Sequence, residues 1–215
     1  MKKTFYILFI SLFIFSCGDN LIEEVKERYD DGKLKTVNYY KKVGDNQELV
    51  RKRDYHENGQ ILMEINYKDG KKDGRFIGNT NSMVLGITLK EEGTYKDDKK
   101  NGKSIVYDEN GEIAEERNYK DGKEDGKWIL YYENGQIEEE GTYKDDKKNG
   151  KQTSYYENGQ IKSEGNFKDG RRDGKQIYYY ENGQIEKEEN FKDGRQDGKW
   201  TYYHENGQIK KEKKW

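Results

Sequence analysis

The sequence predicts an all-β chain: an elongated, single-layer antiparallel sheet of stacked 24-residue β-hairpin repeats. Three observations carry that prediction. Asn110, Asn134, Asn158, Asn182 and Asn206 recur at a step of 24 in Glu-Asn-Gly, and Gly102, Gly126, Gly150, Gly174 and Gly198 keep the same step. A strict period of this length marks a stacked array rather than a globular enzyme. Between the glycines, apolar and charged side chains alternate with the period of a half-buried strand. The 215 residues include no proline, so no strand is deprived of a ladder donor.

Residues 1–16 stand apart from the array. Lys2 and Lys3 precede an apolar run at 5–15, shorter than the roughly 20 residues that cross a bilayer as a helix, which is the pattern of a cleaved leader. Its end, Ile14-Phe15-Ser16-Cys17-Gly18, resembles a bacterial lipoprotein signal, although Phe15 stands where that motif usually has a small residue. The resemblance implies cleavage before Cys17, with acyl chains on its sulfur and its amine. Two or more chains, at about 0.8 kcal/mol per buried CH₂, give a stable anchor. An ordinary secretory leader with an incidental cysteine is the plainer alternative. Cys17 is the sole cysteine, so no internal disulfide or Cys-based metal site is available.

Residues 17–24 read as a short polar tether, and 25–215 as the array. Its first part, 25–101, is irregular. Asp31-Gly32 serves as a worn turn, with Leu34 and Tyr40 in repeat positions, and 41–54 carries three additional residues before Tyr55, Ile61 and Tyr67 restore the pattern. The next copy is four residues too long: 79–87, Asn-Thr-Asn-Ser-Met-Val-Leu-Gly-Ile, replaces the Glu-Asn-Gly tip. Hairpin loops tolerate insertion, so this is either drift or a protruding apolar tip.

The second part, 102–215, holds five regular units. In each, Glu-Asn-Gly is a turn, because Gly takes positive φ freely and Asn bonds its own backbone. A two-residue type I′ loop would set Tyr131 against Glu138. A three-residue loop, a type I turn closed by Gly in a G1 bulge, sets Tyr131 against Ile137. The buried face selects the register, so the three-residue loop is expected. One face then carries a stripe of Tyr (107, 131, 155, 179, 203), Ile (113, 137, 161, 185, 209) and an aromatic (Tyr119, Tyr143, Phe167, Phe191, Trp215). The other carries Glu116, Glu140, Glu164, Glu188 and Glu212. Hairpins are joined through Lys-Asp-Gly-Lys-x-Asp-Gly, whose two glycines suggest a longer reversal. The array ends on Gln208 to Trp215, where Lys210, Lys211, Lys213 and Lys214 discourage pairing of an edge strand with another molecule.

Magnitudes explain the repetition. Three buried side chains supply about 1.5–3 kcal/mol each, whereas ordering the backbone costs about 1–2 kcal/mol per residue. A single hairpin does not stand alone. Composition agrees: 30% hydrophobic and 39% charged residues are poor material for a thick core. The same balance would suit a disordered chain, but 19 tyrosines, regular turns and alternation argue for order.

The unit Gly-Lys-Trp-x-x-Tyr-Tyr-Glu-Asn-Gly-Gln-Ile-x-x-Glu-Gly-Thr-Tyr-Lys-Asp-Gly resembles the bacterial variant of the MORN repeat, from about Arg28 to Trp215. The resemblance implies a curved, single-layer antiparallel sheet and a role in scaffolding, protein binding or lipid binding. It also implies no shared catalytic residues. Many bacterial proteins of this kind look like antitoxin components of toxin–antitoxin pairs.

Candidate chemistry is sparse. His56 and His204 occupy one repeat position, held elsewhere by Tyr132, Tyr156, Tyr180 and Asp108, and read as strand-end variants. No Gly-x-Ser-x-Gly, His-Glu-x-x-His or Cys–His pair occurs, so no catalytic residue, cofactor or metal site is assigned. Asp69 opens a segment like a calcium loop, but Lys71 and Thr80 stand at ligand positions. Against 43 acidic residues stand 41 basic ones, two of them in the leader, and nucleic acid is not an expected partner. The best binding candidates are the variable residues opposite the stripe: Trp128, Leu130, Tyr178, Trp200 and Tyr202. Exposed on a solvated face they would anchor a protein partner; otherwise they thicken the sheet. The sequence thus reads as a lipid-anchored protein of the bacterial cell envelope, on the outer membrane or periplasmic face, acting as a binding or scaffolding module. The alternative is an antitoxin or immunity-like protein that covers a toxin; an envelope hydrolase is disfavoured.

Overall fold

The computed structural model describes residues 21–81 and 88–215. The lipoprotein-like leader, Cys17, and positions 82–87 of the 79–87 insertion lie outside the described residues. Everything described is strand and turn, with antiparallel pairing between sequence neighbours and no helix among the described residues. Two units separate: residues 21–79 with 95–98, and residues 80–81 and 88–94 with 99–215.

In the first unit, strands Leu21–Arg28, Leu34–Val43, Asn46–Tyr55, Ile61–Lys68 and Lys71–Asn81 pair in succession. The expected tether is shorter than proposed, because Leu21, Ile22, Glu23 and Glu24 already pair with Lys41, Tyr40, Tyr39 and Asn38. The three additional residues near 41–54 lengthen a hairpin closed by Val43 opposite Asn46. Val37, Tyr39, Ile65 and Phe76 form the buried interior of this unit, and Phe76 stacks on Tyr95 with ring centroids 4.8 Å apart.

In the second unit the hairpins repeat almost identically. The tip is the expected three-residue loop. Gly135 N–H donates to Tyr132 O at 2.9 Å, Tyr132 N–H donates to Gln136 O at 2.8 Å, and Gly135 has φ of 78°. Tyr131 stands opposite Ile137. The reversal between hairpins differs from expectation. Asp121 and Gly122, with φ of 51° and 89°, make a two-residue turn between paired Lys120 and Lys123. Both central residues sit at positive φ, the mark of a type I′ connection whose twist suits the flanking strands. The second glycine, Gly126 (φ 116°), kinks the chain into the next strand instead of widening the loop.

The expected stripe is also corrected. A register shift between Leu130 and Tyr131 places Leu130 opposite Glu139 and Tyr131 opposite Ile137, leaving Glu138 as an additional residue. Beyond this bulge the second strand changes phase. Tyr143 therefore lies on the face of Trp128, with centroids 5.7 Å apart, and not with Tyr131. Tyr131-type residues share their face with the Glu140 row. Tyr155 Oη donates to Glu140 at 2.9 Å and Tyr179 Oη to Glu164 at 2.8 Å, while Lys127 and Lys151 reach the same carboxylates at 2.8 and 2.6 Å. Glu140 and Glu164 are thus each held by a lysine of their own hairpin and a tyrosine of the next. The isoleucines are no core: Ile113, Ile161 and Ile209 are 38%, 38% and 58% exposed.

Candidate binding surface

Trp128 and Trp200 do not stand out into solvent. They are 7% and 6% exposed, and the exposed-anchor expectation is corrected for both; Leu130, Tyr178 and Tyr202 are half-buried. The reason is the bulge, which brings the aromatic of the second strand onto the face of the 128 position. Ser104, Gln152 and Gln176, at the same repeat position, are each 4% exposed. Unlike the short Ser104, Gln152 and Gln176 reach over Gly141 and Gly165 of the preceding strand, and all three bond between repeats. Trp128 Nε1 donates to Gln152 Oε1 at 3.1 Å, and Gln152 Nε2 donates back to Thr142 O at 3.0 Å. Gln176 Nε2 and Trp200 Nε1 repeat the second bond onto Asn166 O and Asn190 O. Cations complete the layer: Lys148 Nζ lies 4.8 Å from the Trp128 ring centre and 2.9 Å from Glu139, and Arg172 lies 5.3 Å from Phe191.

Tip positions are tied as well. Tyr132, Tyr156 and Tyr180 donate their hydroxyls to Tyr155 O, Tyr179 O and Tyr203 O at 2.7, 2.6 and 2.9 Å, and Tyr29 does the same to Tyr55 O at 2.6 Å. His56 takes this role with Asn79 at 3.1 Å, so that histidine is a strut between neighbouring strand ends. Asp108 is the exception. Its carboxylate turns inward to accept from the backbone of Asn110 and Glu112 at 2.9 and 2.8 Å, and it makes no tie to the next tip.

Around Asp108 the second unit opens into a trough of about 960 Å³. Leu89, Val106, Ala114 and Leu130 supply its apolar lining, with Trp128, Tyr119 and Tyr132 beside them. Ser104 lies at its base, bonded to Glu91 Oε1 at 2.6 Å. Three carboxylates at one repeat position line it, each neutralised: Glu91 by Lys100, Glu115 by Arg117 at 2.6 Å, and Glu139 by Lys148. Arg117 also bonds Glu124. Burial pulls against its charge, but the Glu115 hydrogen bond and both carboxylates hold it firmly protonated. Burial pushes the nearby Tyr119 hydroxyl up to about 12. At the tip end, Glu109, Glu133 and Glu138 have no ion pair among the described residues.

Of the sequence candidates, the trough gathers Trp128 and Leu130; Tyr178, Trp200 and Tyr202 do not line it. The residues missed were the small ones. Ser104, Asp108 and Ala114 stand where neighbouring repeats carry Trp or Gln, Tyr or His, and Glu or Lys. Their signal was the departure from the period itself. Without the bulge, nothing assigned them to one opening. Among the described residues no group of three or more acidic or histidine side chains is placed to hold a metal ion.

The MORN repeat variant family matches the chain in six segments, 51–69, 100–121, 124–145, 148–169, 172–193 and 196–215, which together exceed half its length. No curated protein matches it.

Proposed function

The chain belongs to the MORN repeat variant family, and from that premise we propose that it is a non-catalytic binding scaffold of the bacterial cell envelope, held by lipid on Cys17. Repeats of this family are protein- and membrane-binding modules and not enzymes. One observation supports a protein partner most strongly. From hairpin to hairpin the tip struts and the flat Trp or Gln layer recur, and they are interrupted, at Asp108 and Ser104, where the trough opens. A surface that varies on an unvarying scaffold is where recognition is written. Lipid on Cys17 would place that surface on the outer membrane or periplasmic face.

Labelling cells with radioactive palmitate tests the anchor. The wild-type chain should carry label and sediment with membranes, and Cys17→Ala should lose both. Label or membrane association surviving in that variant sinks the anchor. A narrower version, an immunity-like protein that covers a toxin, is favoured by the acidic rim of the trough, which suits a basic partner surface. Growth arrest on deleting the gene while its neighbours stay expressed supports it, and unaffected growth refutes it.

A further inference from the structure

Three departures from the repeat converge on one opening. Ser104 replaces a large flat side chain, Ala114 replaces a long charged one, and Asp108 replaces the tyrosine that ties one tip to the next. Each alone would be drift; together they empty the base, the flank and the end of a single trough. Chemistry within it is uneven. Deep in the trough the carboxylates are matched by Lys100, Arg117 and Lys148. Arg117, doubly occupied by Glu115 and Glu124, is not available to an incoming anion. The unmatched charge at the tip end is all negative: Glu109, Glu133 and Glu138, beside Asp108. Apart from Lys100 and the residues of the tips, the lining comes from five strands side by side, Thr88–Lys96, Gly102–Tyr107, Ile113–Lys120, Gly126–Tyr131 and Ile137–Lys144. At about 4.8 Å per strand the trough is roughly 19 Å long, which accommodates about six residues of extended chain at about 3.3 Å each.

We infer that this trough receives an extended cationic peptide segment of the protein partner. Its apolar side chains rest on Leu89, Val106 and Leu130, and its basic side chains meet Glu109, Glu133 and Glu138. The inference rests on the binding-scaffold reading and narrows it to a site and a ligand chemistry. Apolar contact supplies affinity, and the unpaired carboxylates select the sign of the partner.

The test uses the full chain and three fluorescent synthetic peptides, alternating Lys-Leu, Lys-Gly and Glu-Leu, followed by anisotropy at low and moderate salt. The Lys-Leu peptide should bind, and more weakly as salt rises, because exposed charges are screened. The other two should bind about tenfold or more weakly. Two variants locate the site. Asp108→Tyr restores the tip strut and Ser104→Gln refills the base, so neither is expected to unfold the chain, and together they should weaken Lys-Leu binding about tenfold or more. Melting curves of both variants, at or above wild type, separate lost binding from lost folding. Equal binding of Lys-Leu and Lys-Gly, binding unchanged in the double variant, or no binding at all overturns the inference. None of these results bears on palmitate labelling at Cys17, so the envelope-scaffold reading fails or stands separately.

Discussion

At Gly141 and Gly165 the backbone does not need positive φ; what matters is the space where a side chain would be. A Cβ on Gly141 would lie 1.7 Å from Gln152 Oε1, and one on Gly165 would lie 1.8 Å from Gln176 Oε1. The missing side chain of one hairpin is thus filled by the long side chain of the next. Gly141→Ala should displace Gln152, leave the buried Trp128 N–H without its acceptor, and cost about 2–4 kcal/mol in urea unfolding. In a Gln152→Ala background the same change should cost at least about 1 kcal/mol less, since the two residues share one space. Equal costs in both backgrounds would show that the glycine is kept for another reason.

At the scale of the hairpin, the tip was readable and the second strand was not. Glu-Asn-Gly and the pairing of Tyr131 with Ile137 follow from turn chemistry and register. The bulge falls within Ile137-Glu138-Glu139-Glu140, where three identical charged residues carry no period-2 signal. Nothing there marks the change of phase, and one residue of slip sends every later side chain to the other face. Tyr143 therefore leaves the stripe that alternation implies, and of the two roles open to Trp128, exposed anchor or thickening of the sheet, its burial excludes the first. A second feature becomes legible only in space. Arg117 occupies the glycine position of its neighbours and Glu124 the lysine or arginine position, and the two bond each other. This is an exchanged pair, in which the cation reaches the layer from a different strand. Arg117→Gly should leave Glu115 and Glu124 without their shared cation and cost about 1 kcal/mol, a modest figure because Arg117 is 40% exposed. Adding Glu124→Lys should recover most of that loss in the same unfolding assay. Additive losses in the double variant would refute the exchange.

Across the molecule, stability should be bounded on both sides of neutrality. Lys127 and Lys151, helped by Tyr155 and Tyr179, hold Glu140 and Glu164 below their ordinary value of 4.5. That contribution is complete above the ordinary value and is lost as pH falls through the lowered one. Burial raises Tyr39, Tyr119 and Tyr179 from 10.0 to about 12, with Tyr55 adding to the first and Glu164 to the last. Their contribution is complete below 10.0 and is lost as pH climbs through about 12. Urea midpoints should be level from about pH 6 to 9 and fall at both extremes. A Tyr179→Phe variant should flatten part of the alkaline fall, and an unchanged profile would remove that residue from the account.

What joins these scales is that a hairpin's buried layer is completed by the hairpin after it. Native-state hydrogen exchange on the full chain, comparing wild type with Gln152→Ala, tests this most directly. Gln152 lies in strand Gly150–Tyr155 yet bonds backward to Trp128 and Thr142. Amides in the preceding strands, Gly126–Tyr131 and Ile137–Lys144, should lose protection at least as much as those in Gly150–Tyr155. Loss confined to Gly150–Tyr155 and Ile161–Lys168, with the preceding hairpin unchanged, would contradict it.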